Sequence, residues 1–178
     1  NRFTDSQTRL SFPGPNAKHR ELSALLRFCN RFKQKSIVVV GGSLPSGVSS
    51  RDIGFLVKKL KQRGIFCIVD MPGSCLKSVI SSRPSFIKPN LREFQELVGK
   101  DAQSVRTILP LAKRLTKIIP LVCVSSVEGG ALLVTKNRAW FGRIPKVKVR
   151  STVGAGDSMV GAMSAVLWRN KIQDKRNE

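Results

Sequence analysis

A chain of 178 residues with 41% hydrophobic content is long enough to bury one core, and none of its apolar runs approaches the length of a membrane span. Thirty-two Lys and Arg against 11 Asp and Glu leave a formal net charge of +21, which draws anions in general. The basic residues are dispersed, as in Lys58-Lys59-Leu60-Lys61-Gln62-Arg63, without an aromatic RNA-binding pattern or zinc-finger spacing, so they favour nonspecific attraction to polyanions over specific nucleic-acid reading.

In chain order, Thr8–Phe12 alternates like a strand, and Ala17–Phe32 is an amphipathic helix through Leu22, Leu25, Leu26 and Cys29. That helix carries His19, the only histidine, on its solvent side. Ser36–Val40 is β-branched and runs into Gly41-Gly42, as a buried parallel strand would. Ile53, Leu56, Val57 and Leu60 follow helical spacing, with Gly64 at the C-cap position. Ile65–Val69 is a second buried strand ending at Asp70. A short helix near Ser74–Ile80 leads to a third strand, Ser85–Ile87, closed by Lys88-Pro89-Asn90. Asn90 and Glu93 then have capping-box spacing.

Gln103–Lys117 reads as a helix with a kink or restart at Pro110. Pro120–Ser125 is a fourth strand, and Glu128-Gly129-Gly130 turns into Ala131–Thr135. A further turn leads to Ala139–Phe141, so antiparallel hairpins are expected at one sheet edge. The cysteines Cys29, Cys67, Cys75 and Cys123 lack metal-type spacing, and two of them sit inside apolar strands. A reduced, cytoplasmic setting is the simpler expectation. Asn1–Gln7 has no apolar signal-peptide core, and a first residue other than Met hints at a fragment. The alternation as a whole predicts a single α/β domain over residues 1–178, a doubly wound, mostly parallel sheet flanked by helices.

Ligands of such sheets gather at the carboxyl ends of the strands. Those ends are Gly41–Gly47, Asp70, Lys88-Pro89-Asn90, Ser125-Ser126, and the turn Gly154-Ala155-Gly156-Asp157 before an apolar helix. Glycines admit a ligand to the backbone, and the first N–H groups of a helix are free to hold an anion. Asp157 is there either as an N-cap or as an acid doing chemistry. No Walker-type phosphate loop and no plausible Ser-His-Asp set is present.

Gly42-Ser43-Leu44-Pro45-Ser46-Gly47-Val48, Lys88-Pro89-Asn90-Leu91-Arg92-Glu93 and Ser151–Gly161 occur in that order, and together they resemble the ribokinase-like (PfkB-type) carbohydrate kinases. The likeness runs from about Thr8 to Trp168 and is nearest the phosphofructokinase and tagatose-6-phosphate kinase branch. It implies an ATP- and Mg²⁺-dependent kinase acting on a ketohexose phosphate of the fructose 1-phosphate or fructose 6-phosphate type. Ser46-Gly47-Val48-Ser49 and the Thr8–Phe12 strand lean toward 1-phosphofructokinase.

The resemblance also implies roles. Asp157 matches the catalytic base, and Gly154, Ala155 and Gly156 match the anion hole. Lys88, Asn90, Ser125 and Gly130 fall in nucleotide-binding segments. Ser43 falls in the sugar-phosphate segment together with Asp157, and Glu93 serves Mg²⁺ through water. A cytoplasmic homodimer without membrane or specific nucleic-acid partners is implied for the full-length family member.

Val127 stands where relatives carry glycine, and is expected to crowd or reshape the nucleotide loop. The family's amino-terminal sugar-binding and lid segment and its carboxy-terminal adenine cover have no counterpart in this chain. A nonenzymatic fragment retaining the anion site, and a basic nucleic-acid-binding module, are the competing expectations.

Overall fold

The β-branched run Ile37–Val40 pairs as the sequence predicts: it forms β1 (Ile37–Gly41), and β2 (Phe66–Asp70) lies parallel beside it, Val38 opposite Cys67 and Gly41 opposite Asp70. The structure is a computed structural model describing residues 14–148 and 151–174, so the Thr8–Phe12 strand lies outside the described residues. β3 (Phe86–Ile87) and the start of β4 (Leu121–Val127) continue the parallel order. β5 (Gly130–Thr135) and β6 (Ala139–Arg143) then turn back antiparallel at one edge. The six strands lie side by side in chain order.

Between them run α1 (His19–Cys29), α2 (Ser50–Gln62), α3 (Gly73–Val79), α4 (Leu91–Val98) and α5 (Val105–Leu115), before the long α6 (Ala155–Asp174). The period-2 alternation of the strands decides which layer each helix joins. Val38, Val40, Val69, Ile87, Val122 and Val124 face the core shared with α2, α3, α4 and α5. Ile68, Phe86 and Cys123 face the other way, onto Met159, Val160, Met163 and Leu167 of α6. The result is the expected mostly parallel sheet with helices on both faces.

Helix ends follow local chemistry. Ser49 accepts a bond from the Asp52 N–H while Asp52 accepts from the Ser49 N–H at 2.8 Å, starting α2. Gly64, at φ +73°, takes the left-handed turn after α2 that a side chain would resist. The Arg63 guanidinium closes the end of α1 by donating to the carbonyls of Cys29, Asn30 and Phe32 at 2.6–2.9 Å.

α5 removes one of the two outcomes expected at Pro110, the restart. It passes through Pro110 as a single element with no restart. Its Ser104 cap and the buried Ile108 and Ala112 on either side of the proline hold the helix together while one backbone bond is forgone. Burial pushes the Cys67 and Cys123 thiols up to about 11, so both stay protonated and pack as small apolar groups.

Candidate active site

β1, β2 and β3 end side by side, and the amino ends of α4 and α6 face those ends. Between them lies a cleft of about 630 Å³, a size suited to a small ligand. Its floor and walls come from Gly42 and Ser43 after β1, Asp70 closing β2, Lys88 after β3, Asn90 and Glu93 of the α4 start, and Thr152–Gly154, Gly156 and Asp157 around the α6 start. A second cavity of about 420 Å³ lies between α1 and α2. It is lined largely by apolar side chains such as Leu26, Phe55 and Leu60 and contains none of the strand-end groups.

The glycine turn folds for a local reason. Gly154 has φ +78°, a conformation that L side chains rarely adopt, and this sharp turn starts α6 at Ala155. The Ser158 N–H donates to the Gly154 carbonyl at 2.8 Å, the first full helical bond. The Ala155 N–H is spent on the Thr152 carbonyl at 3.3 Å, while the N–H groups of Gly156 and Asp157 precede the helical ladder and need an outside acceptor. Asp157 sits in the first helical turn, not at the cap. It is exposed, and among the described residues its carboxylate makes no hydrogen bond or ion pair. A free carboxylate beside unsatisfied N–H donors leaves room for a substrate hydroxyl on one and an anion on the other.

Lys88 is 4% exposed, and its Nζ lies 3.2 Å from Asp70 Oδ1. The Asn90–Glu93 capping box forms in full. Asn90 Oδ1 accepts from the Glu93 N–H at 3.0 Å, and Glu93 Oε2 accepts from the Asn90 N–H at 2.9 Å. Glu93 Oε1 takes no part in the cap, so the capping and cleft roles of this residue are compatible.

Two residues expected near nucleotide, Ser125 and Gly130, do not line this cleft. Ser125 bridges to Asn90 and donates its N–H to the Pro89 carbonyl at 3.0 Å, bracing the cleft from behind without lining it. Gly130 opens β5, where a Cβ would overlap the Gly142 carbonyl oxygen of β6. Its glycine is therefore explained by the hairpin. Gly130→Ala is expected to cost about 1–3 kcal/mol as overpacking does, and so to lower Tm. Retained stability with selective loss of nucleotide affinity would reinstate a binding role.

Val127 does not crowd the cleft either. Its side chain is fully buried in the core, and the register of β4 shifts next to it, with Ser126 and Glu128 at φ +61° and +46°. What the sequence left without a role is Asp70: it marks a strand end, but its pairing with Lys88 depends on two strands lying adjacent.

A parallel sheet whose strand ends present a buried cation, free helix-start N–H groups and an unpaired carboxylate has the parts that phosphoryl transfer to a hydroxyl requires. The chain belongs to the pfkB family of carbohydrate kinases, whose pattern it matches over residues 3–173. It is 31% identical over 163 residues to 1-phosphofructokinase of Bacillus subtilis (strain 168), covering 91% of this chain and 54% of that protein. To ATP-dependent 6-phosphofructokinase isozyme 2 of Escherichia coli (strain K12) it is 33% identical over 167 residues, 92% of this chain and 54% of that one. The crystal structure of phosphofructokinase-2 from Escherichia coli in complex with fructose-6-phosphate superposes with a TM-score of 0.86 at 32% identity, over 93% of this chain and 55% of the other. The chain thus spans about half the length of the relatives it matches.

Proposed function

We propose that this chain carries the phosphoryl-transfer site of an ATP-dependent sugar-phosphate kinase, with fructose 1-phosphate or fructose 6-phosphate as acceptor. The observation that carries the reading is the meeting, in one cleft, of the unpaired Asp157 carboxylate, the open N–H groups of the α6 start and the buried Lys88. Asp157 takes the proton of the attacking hydroxyl. The N–H groups of Gly156 and Asp157 hold the charge on the moving phosphoryl group, and Lys88 supplies a cation for the nucleotide phosphates. Ser43, at the β1 end of the cleft, faces the acceptor.

ATP brings the phosphoryl group, and Mg²⁺, when bound, offsets phosphate charge. Glu93, with one carboxylate oxygen outside its cap, and Asn90 suit a cation that keeps most of its waters. Among the described residues there is no cluster of three or more His, Cys, Asp or Glu that could hold a metal by itself. That suits a metal delivered with the nucleotide.

Four free thiols support a cytoplasmic setting, and no helix among the described residues is long and apolar enough to cross a membrane. The direct test is ADP release from ATP and Mg²⁺ with fructose 1-phosphate and fructose 6-phosphate as separate acceptors. Turnover that depends on one of them is the expected result. Binding of nucleotide without turnover of either would favour the second reading, a nonenzymatic anion site, for which the open and exposed position of Asp157 speaks.

A further inference from the structure

Among the described residues Lys88 is the one charged side chain that is buried. Removing an ammonium from water is costly unless a partner offsets the loss. The Lys88 ammonium has one ionic partner, Asp70, with Oδ1 at 3.2 Å and the two side chains 5% and 17% exposed. Cys123 lies close enough to feel the Lys88 charge, but burial pushes that thiol up to about 11, so it is a neutral neighbour and no counterion. Glu93 and Asp157, the other acids of the cleft, make no ion pair with it.

Both backbones are fixed by the sheet. The Lys88 N–H donates to the Val69 carbonyl at 3.2 Å, and the Asp70 carbonyl accepts from Gly42 at 3.0 Å. What the sheet leaves undetermined is the flexible lysine stem. The head of that stem lies directly beside the glycine turn. A Cβ built on Gly156 would stand 3.6 Å from Lys88 Nζ and 3.9 Å from Asp70 Oδ2.

We propose that Asp70 is a positioning residue: it holds the Lys88 ammonium against the Gly154–Gly156 turn, so that lysine and helix-start N–H groups present one preformed polyphosphate site. The inference rests on the phosphate-binding reading of the cleft given above. It predicts an unusual sign. An acid placed in an anion site should by simple electrostatics weaken anion binding, so its removal should strengthen it. If Asp70 instead aims the lysine, its removal weakens binding.

The probe is inorganic tripolyphosphate, titrated calorimetrically into the 178-residue chain with EDTA present and at physiological ionic strength, where dispersed surface charge is screened. Asp70→Asn and Lys88→Met are each expected to weaken binding by about tenfold or more, the scale of a lost charge-assisted contact. The double variant should be no worse than the poorer single one, and Asp70→Glu should recover part of the loss. Asp70→Asn binding as tightly as the parent or tighter, additive losses in the double variant, or a loss seen only when Mg²⁺ replaces EDTA would each overturn the proposal.

A parent chain that fails to bind tripolyphosphate overturns the phosphate reading itself, and this inference with it. Should Asp70→Asn not fold, Asp70→Glu carries the test. It must alter binding when Lys88 is present and leave it unaltered in the Lys88→Met background, and an equal change in both backgrounds refutes the coupling.

Discussion

Asp157→Asn is expected to lower kcat about 10²–10⁴-fold, the span typical of a lost general base, while nucleotide binding stays largely intact. The split follows from which atoms do what. The anion is held by N–H groups of the turn and by Lys88, and asparagine leaves both in place with the same shape at position 157. Only the proton acceptor is lost. Asp157 is free to act as one because no described residue bonds its carboxylate. Of the other cleft acids, Asp70 is committed to Lys88 and Glu93 to the Asn90 cap. Initial rates and nucleotide titrations on the same preparations decide it, using this chain or a longer polypeptide that contains it. Near-parental kcat in Asp157→Asn would mean that another group accepts the proton, and a parallel collapse of nucleotide binding would mean that the carboxylate shapes the turn.

Much of the fold was legible because its signals are local. The β-branched run before Gly41, the 3.6-residue spacing of Ile53, Leu56, Val57 and Leu60, and the Asn90–Glu93 box each depend on neighbours within a few residues. The rim of strand ends followed from chain order alone, since parallel strands alternating with helices put their carboxyl ends on one side. What was not legible involves contacts between distant segments. Pro110 does not break α5, because Ile108 and Ala112 are packed beneath β4 and β5 and outweigh one missing bond. Gly130 is glycine because β6 crosses it, which depends on a hairpin register that composition does not specify. The Asp70–Lys88 pair needs β2 and β3 to be neighbours, 18 residues apart in sequence.

The charge balance becomes intelligible once the acids are located. Glu21, Asp52 and Glu93 accept the N-cap N–H at the starts of α1, α2 and α4, and Glu128 accepts the Val105 N–H at the start of α5. Asp70 takes Lys88, and Asp101 accepts the amides of Gln95 and Gln103. These acids are tied to backbone or site, and few remain to neutralise surface lysines and arginines. Asp157 stands out against this pattern as an acid with no structural duty. α6, which carries it, has apolar residues around its whole circumference. It buries Val160 against the sheet but leaves Val166 56% and Trp168 46% exposed, beside Val39 of β1 at 46%. A helix apolar on all sides is built to be covered on all sides, so this face is where association of the isolated chain should begin.

Phe94→Ala is expected to cost about 3–5 kcal/mol, a large part of the roughly 5–15 kcal/mol that stabilises a domain of this kind. Phe94 is fully buried and lies in α4 one residue after Glu93, so its ring is the anchor that seats the helix whose first turn enters the cleft. Leu97, at 7% exposure, is the other buried α4 side chain, and Leu91 and Val98 pack half-buried against the same core. A short helix that loses its largest buried anchor is held only weakly, since its own backbone bonds do not sustain it in water. Chemical denaturation should show the midpoint falling and the slope falling with it, because release of α4 ahead of the sheet departs from a two-state transition. If Asn90 and Glu93 work in the cleft, activity should decline at denaturant concentrations where the rest of the sheet is still folded, because α4 is released first. Full stability in Phe94→Ala would mean that α4 is held mainly by the Ser125 bridge to Asn90, and that the cleft is braced from the strand side instead of by its own helix.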